Sequence, residues 1–206
     1  MKLGPKCKYC RRFGIKLGLN ERCLSHKCAL TRRRIRPGVR GRKPKTFSLY
    51  GRQLMEKQRL KLFYLANENQ MKKYVEIAKK QKKSSTEALL EILERRLDNV
   101  IWRLGYTPHK LQARQLVSHG HFLVNGKKIK SPSYLVNPGD VIEIRPQSRD
   151  IEPFKDLGER LKNYNPPSWL EIDKNIFKAK VLRLPQYNEI QHNFSLNMVI
   201  DFYSRQ

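Results

Sequence analysis

Residues 96–129 read Arg96-Leu97-Asp98-Asn99-Val100-Ile101-Trp102-Arg103-Leu104-Gly105, then Tyr106-Thr107-Pro108-His109-Lys110-Leu111-Gln112-Ala113-Arg114-Gln115-Leu116-Val117-Ser118-His119-Gly120, then His121-Phe122-Leu123-Val124-Asn125-Gly126-Lys127-Lys128-Ile129. Leu97, Val100, Ile101 and Leu104 continue a helical spacing already present at Leu90 and Leu93, and Gly105 stops it. Upstream, Ser84-x-x-Glu87 has the form of a capping box, so the pattern predicts one long helix over 84–104. Its polar side carries Arg96, Asn99 and Arg103 at i, i+3 and i+7, which places three hydrogen-bonding side chains on one face. Thr107 and Pro108 supply an N-cap and a first-turn proline for a second helix, with Leu111, Leu116 and Val117 inward, Lys110 and Arg114 outward, and Gly120 as its end. Asn125-Gly126 between two short apolar runs is the strongest local hairpin signal, and the turn Asn137-Pro138-Gly139-Asp140 leads into a further strand, Val141-Ile142-Glu143-Ile144. Two helices followed by a small twisted sheet, with Lys127 and Lys128 added to the polar side, would present a preformed basic surface suited to reading the shape of folded RNA. Solubilising charge is the bland alternative; it explains each residue singly better than it explains the set.

The rest of the chain agrees with this surface. It has 206 residues, 39% of them hydrophobic, which is enough apolar material for one or two cored domains and too much for a disordered basic tail. Lys and Arg number 44 against 18 Asp and Glu, a net charge of +26 whose self-repulsion calls for a dense polyanion. The first 50 residues alone carry 16 basic side chains and one acidic. More than half of the excess therefore lies in an N-terminal arm suited to phosphate contact. No long amphipathic basic helix, membrane-spanning run or secretory signal is present, so no membrane role is expected and the chain should remain in a reducing compartment.

In such a compartment Cys7, Cys10, Cys23 and Cys28, all the cysteines of the chain, favour a metal over two disulfides. Their spacing is C-x2-C, twelve residues, then C-x4-C, with Gly14 and Gly18 available for the turns that bring the pairs together. Four thiolates at this spacing suit one tetrahedral structural zinc, whose binding would supply folding free energy that so small a segment lacks. Lys6, Lys8, Arg11, Arg12, Arg22 and Lys27 favour the thiolate form. Four ordinary thiols are the bland reading, and an iron–sulfur cluster is the lesser metal alternative. After the cysteines, residues 31–46 contain Arg32, Arg33, Arg34, Arg36, Arg40, Arg42, Lys43 and Lys45 among Gly and Pro, with almost no core formers. A stretch of this kind lies along phosphates and orders on binding.

Between arm and module, Leu54 to Leu65 and Met71 to Ala78 form two amphipathic segments. The tail offers strand-like pieces at 169–172 and 181–184, then Leu196, Val199, Ile200 and Tyr203 at helical spacing. That last helix should pack on the early helical region, since neither has an obvious core of its own. Trp102 and Trp169 are read as core residues.

The stretch Arg96 to Gly105, continued through Gln112-Ala113-Arg114-Gln115-Leu116-Val117, His119-Gly120-His121, Val124-Asn125-Gly126 and Pro138-Gly139-Asp140, closely resembles the RNA-binding module named after bacterial-type small-subunit ribosomal protein four. The resemblance extends to the four-cysteine start, to Leu182-Arg183-Leu184-Pro185 and to the ending Phe202-Tyr203-Ser204-Arg205. It implies an α+β protein with a zinc-bound arm over 1–45, a mainly helical domain over 46–95 plus 186–206, and the RNA-binding module over 96–185. It further implies a structural constituent of the cytoplasmic small ribosomal subunit, or of an organellar one, that grips a multi-helix junction of the ribosomal RNA and nucleates assembly. Contact with ribosomal proteins five and three, an influence on decoding accuracy and, in some bacteria, repression of its own messenger RNA belong to the same implication. The RNA-facing set is then the arm cations together with Arg96, Asn99, Arg103, Lys110, Arg114, His119, His121, Lys127 and Lys128.

Two rival readings fare worse. An RNA-modifying enzyme bearing the same module lacks space for a catalytic domain, and the chain shows no phosphate-binding glycine loop, nucleophile elbow or Cys-His pair, so neither catalysis nor a small-molecule substrate is expected. A zinc-finger DNA binder is compatible with the cysteines, but no helix-turn-helix or two-Cys two-His finger follows them.

Overall fold

A computed structural model of the chain describes residues 6–19, 21–23, 25–38, 46–174 and 176–205. In chain order its elements are α1 (Lys6–Phe13), α2 (Ala29–Arg32), α3 (Leu49–Phe63), α4 (Glu68–Lys79), α5 (Ser85–Glu94), α6 (Leu97–Arg103), α7 (Lys110–His119), β1 (Phe122–Val124), β2 (Lys127–Ile129), β3 (Val141–Ile144), α8 (Glu152–Lys155), α9 (Leu157–Lys162), β4 (Leu170–Asp173), β5 (Lys178–Val181) and α10 (Leu196–Ser204), with short 3-10 turns at Glu21–Cys23, Pro146–Ser148 and Tyr187–Glu189. They fall into two units, residues 1–88 with 192–206 and residues 89–191.

In the first unit α10 packs on α3 and α4. Leu60, Met71, Tyr74, Val75, Ala78, Leu196, Val199 and Phe202 are all buried there, so the two early helices and the last helix share one apolar interior. Helix α4 opens on a capping box: Asn67 Oδ1 accepts from the Gln70 amide at 2.8 Å and Gln70 Oε1 accepts from the Asn67 amide at 3.2 Å. Glu68 then joins all three helices, accepting from Lys57 at 2.7 Å and Lys61 at 2.8 Å on α3 and from the Tyr203 hydroxyl at 2.8 Å on α10.

The second unit is an antiparallel sheet in the order β2-β1-β3-β5-β4, with helices over one face. Phe122, Val124, Ile142, Ile144, Leu170, Ala179 and Val181 point inward and meet Val100, Ile101 and Leu104 of α6, Leu116 and Val117 of α7, Phe154, Leu157 and Leu161 of α8 and α9, and Trp169. Each of the Val, Leu, Ile and Phe side chains contributes about 1.5–3 kcal/mol on burial. Asn125 and Gly126 take positive φ, 50° and 74°, as the tight β1–β2 turn requires. Asn125 also ties the hairpin to the next turn, since its Nδ2 donates to Asp140 Oδ1 at 2.8 Å and its Oδ1 accepts from the Val141 amide at 2.9 Å.

Several features depart from the sequence reading, among them the start of α7, which is capped at His109 rather than at Thr107. The expected helix over 84–104 is two helices, because at Arg96 the chain is extended (φ −62°, ψ 134°) and pairs with Leu135 as an isolated bridge. Leu97 N–H donates to Tyr134 O at 2.8 Å, and Val136 N–H donates to Arg95 O at 2.9 Å, so residues 132–136 take up backbone groups that a continuous helix would use internally. Apolar spacing is blind to such a break, since both halves keep their leucines inward. Helices α8 and α9 were not anticipated, although Leu157 and Leu161 stand four apart and Pro153 sits in the first turn of α8. The second tail strand is Lys178–Val181, not 181–184.

Candidate nucleic-acid interface

The break at Arg96 changes what the polar side chains of α6 and α7 face. Arg96 is wholly buried, and its Nε and Nη2 donate to Asp98 Oδ1 and Oδ2 at 3.0 and 2.7 Å. Asp98 also accepts from Arg114 Nη1 of α7 at 3.2 Å. Asn99 is buried, its Nδ2 donating to Glu94 Oε2 at 2.7 Å, and Arg103 forms a two-bond fork on the same carboxylate at 2.9 and 3.0 Å. Lys110 is buried with its ammonium 4.4 Å from the Trp102 ring centroid, while the Arg103 guanidinium lies 4.8 Å from the same ring. Burial pushes the Lys110 amine well below the usual lysine range; Glu94 and Asp98 oppose that shift and Arg103 and Arg96 reinforce it. The expectation that Arg96, Asn99 and Lys110 belong to an outward face is thus corrected, while Arg103 keeps partial exposure beside Glu94. Glu94 and Asp98 are buried carboxylates, and removing them from water is tolerable only with cations and donors beside them, which draws these side chains inward.

A group of cations in this unit gathers at the turn between α7 and β1, while Arg149, Lys155, Lys162, Lys174, Lys178 and Lys180 are exposed elsewhere on it. Gly120 caps α7 in the left-handed region (φ +76°), and a Cβ there would stand 2.4 Å from Lys128 Cε, so the Lys128 stem crosses directly over its backbone. The His119 and His121 rings flank it with centroids 5.9 Å apart. His121 is half-buried, with Nδ1 2.9 Å from Ser148 Oγ and its ring set edge-on to Phe154. Burial holds the His121 imidazole below its usual range, and His119, Lys128 and Arg145 add to the effect. Arg145, then burial, then Lys130 depress the Lys128 amine. Lys130 and Arg145 were missed by the sequence reading. Their signal is the strand register: Phe122 pairs with both Ile129 and Ile144, so the residues one step outward, 121, 130 and 145, come side by side. Lys127 is exposed at the hairpin, and Arg114 is partly exposed on α7.

In the first unit Arg32, Arg33 and Arg34 are exposed, and Arg36 is half-buried with its guanidinium 5.0 Å from the Phe47 ring centroid. Arg40, Arg42, Lys43 and Lys45 lie outside the described residues. Helices α1 and α2 pack together, carrying Cys7 and Cys10 on one and Cys28 at the N-cap of the other. Cys10, Cys23 and Cys28 are buried and Cys7 is half-buried. Burial pushes the Cys10 thiol up, a backbone hydrogen bond at Leu17 opposes this, and Cys23, Cys28 and Cys7 add to the rise. Burial also opposes ionisation of Cys28, but the Thr31 and Leu30 amides, the Thr31 hydroxyl and Lys16 outweigh it and hold that thiol below its usual range. Among the described residues, no group of three or more His, Cys, Asp or Glu side chains is gathered at metal-holding geometry.

Residues 2–94 match the family described as the ribosomal protein S4/S9 N-terminal domain, and residues 95–142 match the S4 domain. The chain is 46% identical over 204 residues to the small ribosomal subunit protein uS4 of Thermotoga petrophila, 44% over 203 residues to that of Kosmotoga olearia and 48% over 204 residues to that of Thermosipho melanesiensis, in each case covering 98% of both chains. Identity at this level along the whole length, with both domains in their expected order, establishes that the chain belongs to the small ribosomal subunit protein uS4 family.

Proposed function

We propose that this chain is a structural, non-enzymatic constituent of the small ribosomal subunit, in the cytoplasm of a bacterial cell, and that it binds the ribosomal RNA of that subunit. The observation that carries this reading is the whole-length identity to proteins named for that subunit, 46% over 98% of each chain. The exposed cations agree with it. Arg32, Arg33 and Arg34 on the arm, with His119, Lys127 and Lys128 at the hairpin and the less exposed Arg36, Arg114 and His121, are the side chains that meet phosphate and ribose. Arg40, Arg42, Lys43 and Lys45 extend the arm's contribution by charge. Arg96, Asn99, Arg103 and Lys110 act one step removed, holding α5, α6 and α7 in the shape that presents those contacts.

Within the same reading, the RNA target is a multi-helix junction, binding there nucleates assembly and influences decoding accuracy, ribosomal proteins five and three are the protein neighbours, and the chain's own messenger RNA is a second ligand. Cys7, Cys10, Cys23 and Cys28 hold one structural zinc, with an iron–sulfur cluster as the lesser alternative. The packing of α1 against α2, with Cys10, Cys23 and Cys28 buried, supports this donor set.

Competition between a small-subunit junction fragment and a plain RNA duplex of equal charge tests the reading. Retention of the junction against a large excess of duplex supports shape-specific binding, and equal displacement by both rejects it.

A further inference from the structure

We propose that His119, His121, Lys128, Lys130 and Arg145 form one seat for a phosphate group of the bound RNA, and that filling this seat draws a proton onto His121. The inference rests on the RNA-binding function proposed above and adds to it a particular contact and its dependence on pH.

The seat is built from three neighbouring pieces of the second unit. Helix α7 ends at His119, Gly120 turns the chain, and His121 leads into β1. The step beyond β2 brings Lys130, and the step beyond β3 brings Arg145, whose backbone N–H donates to His121 O at 2.9 Å. Lys128 lies across Gly120, with its Nζ 3.4 Å from where a Cβ would stand. The positive groups therefore converge on one turn without a carboxylate among them. The acidic side chains of the adjoining elements are engaged elsewhere: Glu143 of β3 is paired with Lys178 at 2.9 Å, and Glu152 of α8 with Lys155 at 3.5 Å. Asp150, beside Arg149, is exposed in the stretch leading to α8. On the His121 side of the turn, Ser148 contributes a hydroxyl and Phe154 an apolar ring. Across the sheet the pattern differs, since Lys178 and Lys180 of β5 stand in register with Asp173 and Glu171 of β4. Uncompensated charge is thus concentrated at the β1–β2–β3 end.

Such a cluster repels itself, and an anion relieves the repulsion. His121 is the member whose charge changes near neutral pH, and Ser148 engages its Nδ1, so Nε2 is the nitrogen left to donate to a phosphate oxygen. In the free protein, burial and the surrounding cations hold its imidazole below the ordinary range. A phosphate at the seat reverses the electrostatic part and raises it. The bound state then holds more protons than the free state between the two values, so affinity rises as pH falls through that window and is flat below it. Each unit of movement corresponds to about tenfold in affinity.

The test uses the full chain, small-subunit ribosomal RNA at fixed salt, and NMR titration of the histidine ring protons free, with inorganic phosphate and with RNA. Wild-type affinity is expected to rise by about three- to tenfold between about pH 8 and 6, with the His121 midpoint moving upward when phosphate or RNA is present. H121Q should lose most of that slope. K128Q removes the charge of an exposed side chain, and should raise the free-protein His121 midpoint while weakening RNA binding by about three- to tenfold. Equal slopes in wild type and H121Q, or a His121 midpoint indifferent to phosphate and to K128Q, would overturn the seat while leaving RNA binding itself intact. Failure to prefer the ribosomal junction over plain duplex in a parallel competition would overturn the function and this contact together.

Discussion

Arg96 and Asp98 form a two-bond ion pair with both side chains buried, at the point where the chain passes from α5 into α6. The pair holds the extended residue that breaks the helix, and Arg114 joins it from α7, so it sets how the two helices meet. Asp98→Ala removes the carboxylate from a buried guanidinium, and we expect a loss of about 3–5 kcal/mol in urea unfolding of the full chain. A loss under about 1 kcal/mol would mean that the pair is solvated and does not organise the junction.

Lys110 separates the structural role of the α6–α7 surface from an RNA-contacting one. Its folded-state value lies below its ordinary one, so the unfolded chain binds the extra proton and stability increases as pH rises through the window ending near 10.5. Lys110→Met should remove that slope, leave stability at neutral pH unchanged or higher by about 1 kcal/mol, and change RNA affinity less than about twofold. A tenfold loss of RNA binding with unchanged folding would show that this ammonium reaches RNA.

The contrast between Lys110 and Lys128 marks how far the sequence was legible. Both are lysines in a basic module, and nothing in their spacing separates the one beneath Trp102 from the one over Gly120. Burial followed from the Glu94 and Asp98 carboxylates, whose inward placement depends on the strand-like pairing of residues 95–97 with 132–136, a contact distant in sequence. Strand alternation and the Asn125-Gly126 turn were legible because their physics is local, as was the apolar face of α10. The capping box at Asn67 and Gln70 was legible in principle, since the right residue types stand three apart before an apolar run. Lys130 and Arg145 required the register of three strands, which no single segment carries.

Glu68 gives the first unit an acid-sensitive joint. Burial opposes its ionisation, but Lys57, Lys61 and the Tyr203 hydroxyl outweigh this and draw its carboxyl down to about 2 from 4.5. A depressed carboxyl stabilises the fold above about pH 4.5 and loses that contribution as pH falls toward about 2. Because the side chain is 44% exposed, solvent screening reduces the contribution to about 1 kcal/mol. Glu68→Gln should lower stability by that amount at neutral pH and flatten the acid limb of a denaturant midpoint series. An acid limb identical to wild type would exclude Glu68 from the joint.

Removal of one thiol tests the arm. Cys7→Ser is expected to lower bound zinc in elemental analysis and to speed amide exchange in α1 and α2, with exchange in residues 89–191 unchanged. Native protein isolated without chelator and free of both zinc and iron would reject the metal assignment.

Sedimentation of a cell lysate through a sucrose gradient, followed by quantification of this chain in each fraction, bears most directly on the ribosomal role. The chain should migrate with small-subunit particles in amounts matching the other proteins of that subunit, and should leave them only at salt high enough to strip phosphate contacts. Recovery at the top of the gradient under low salt, with complete small subunits below it, would contradict the account.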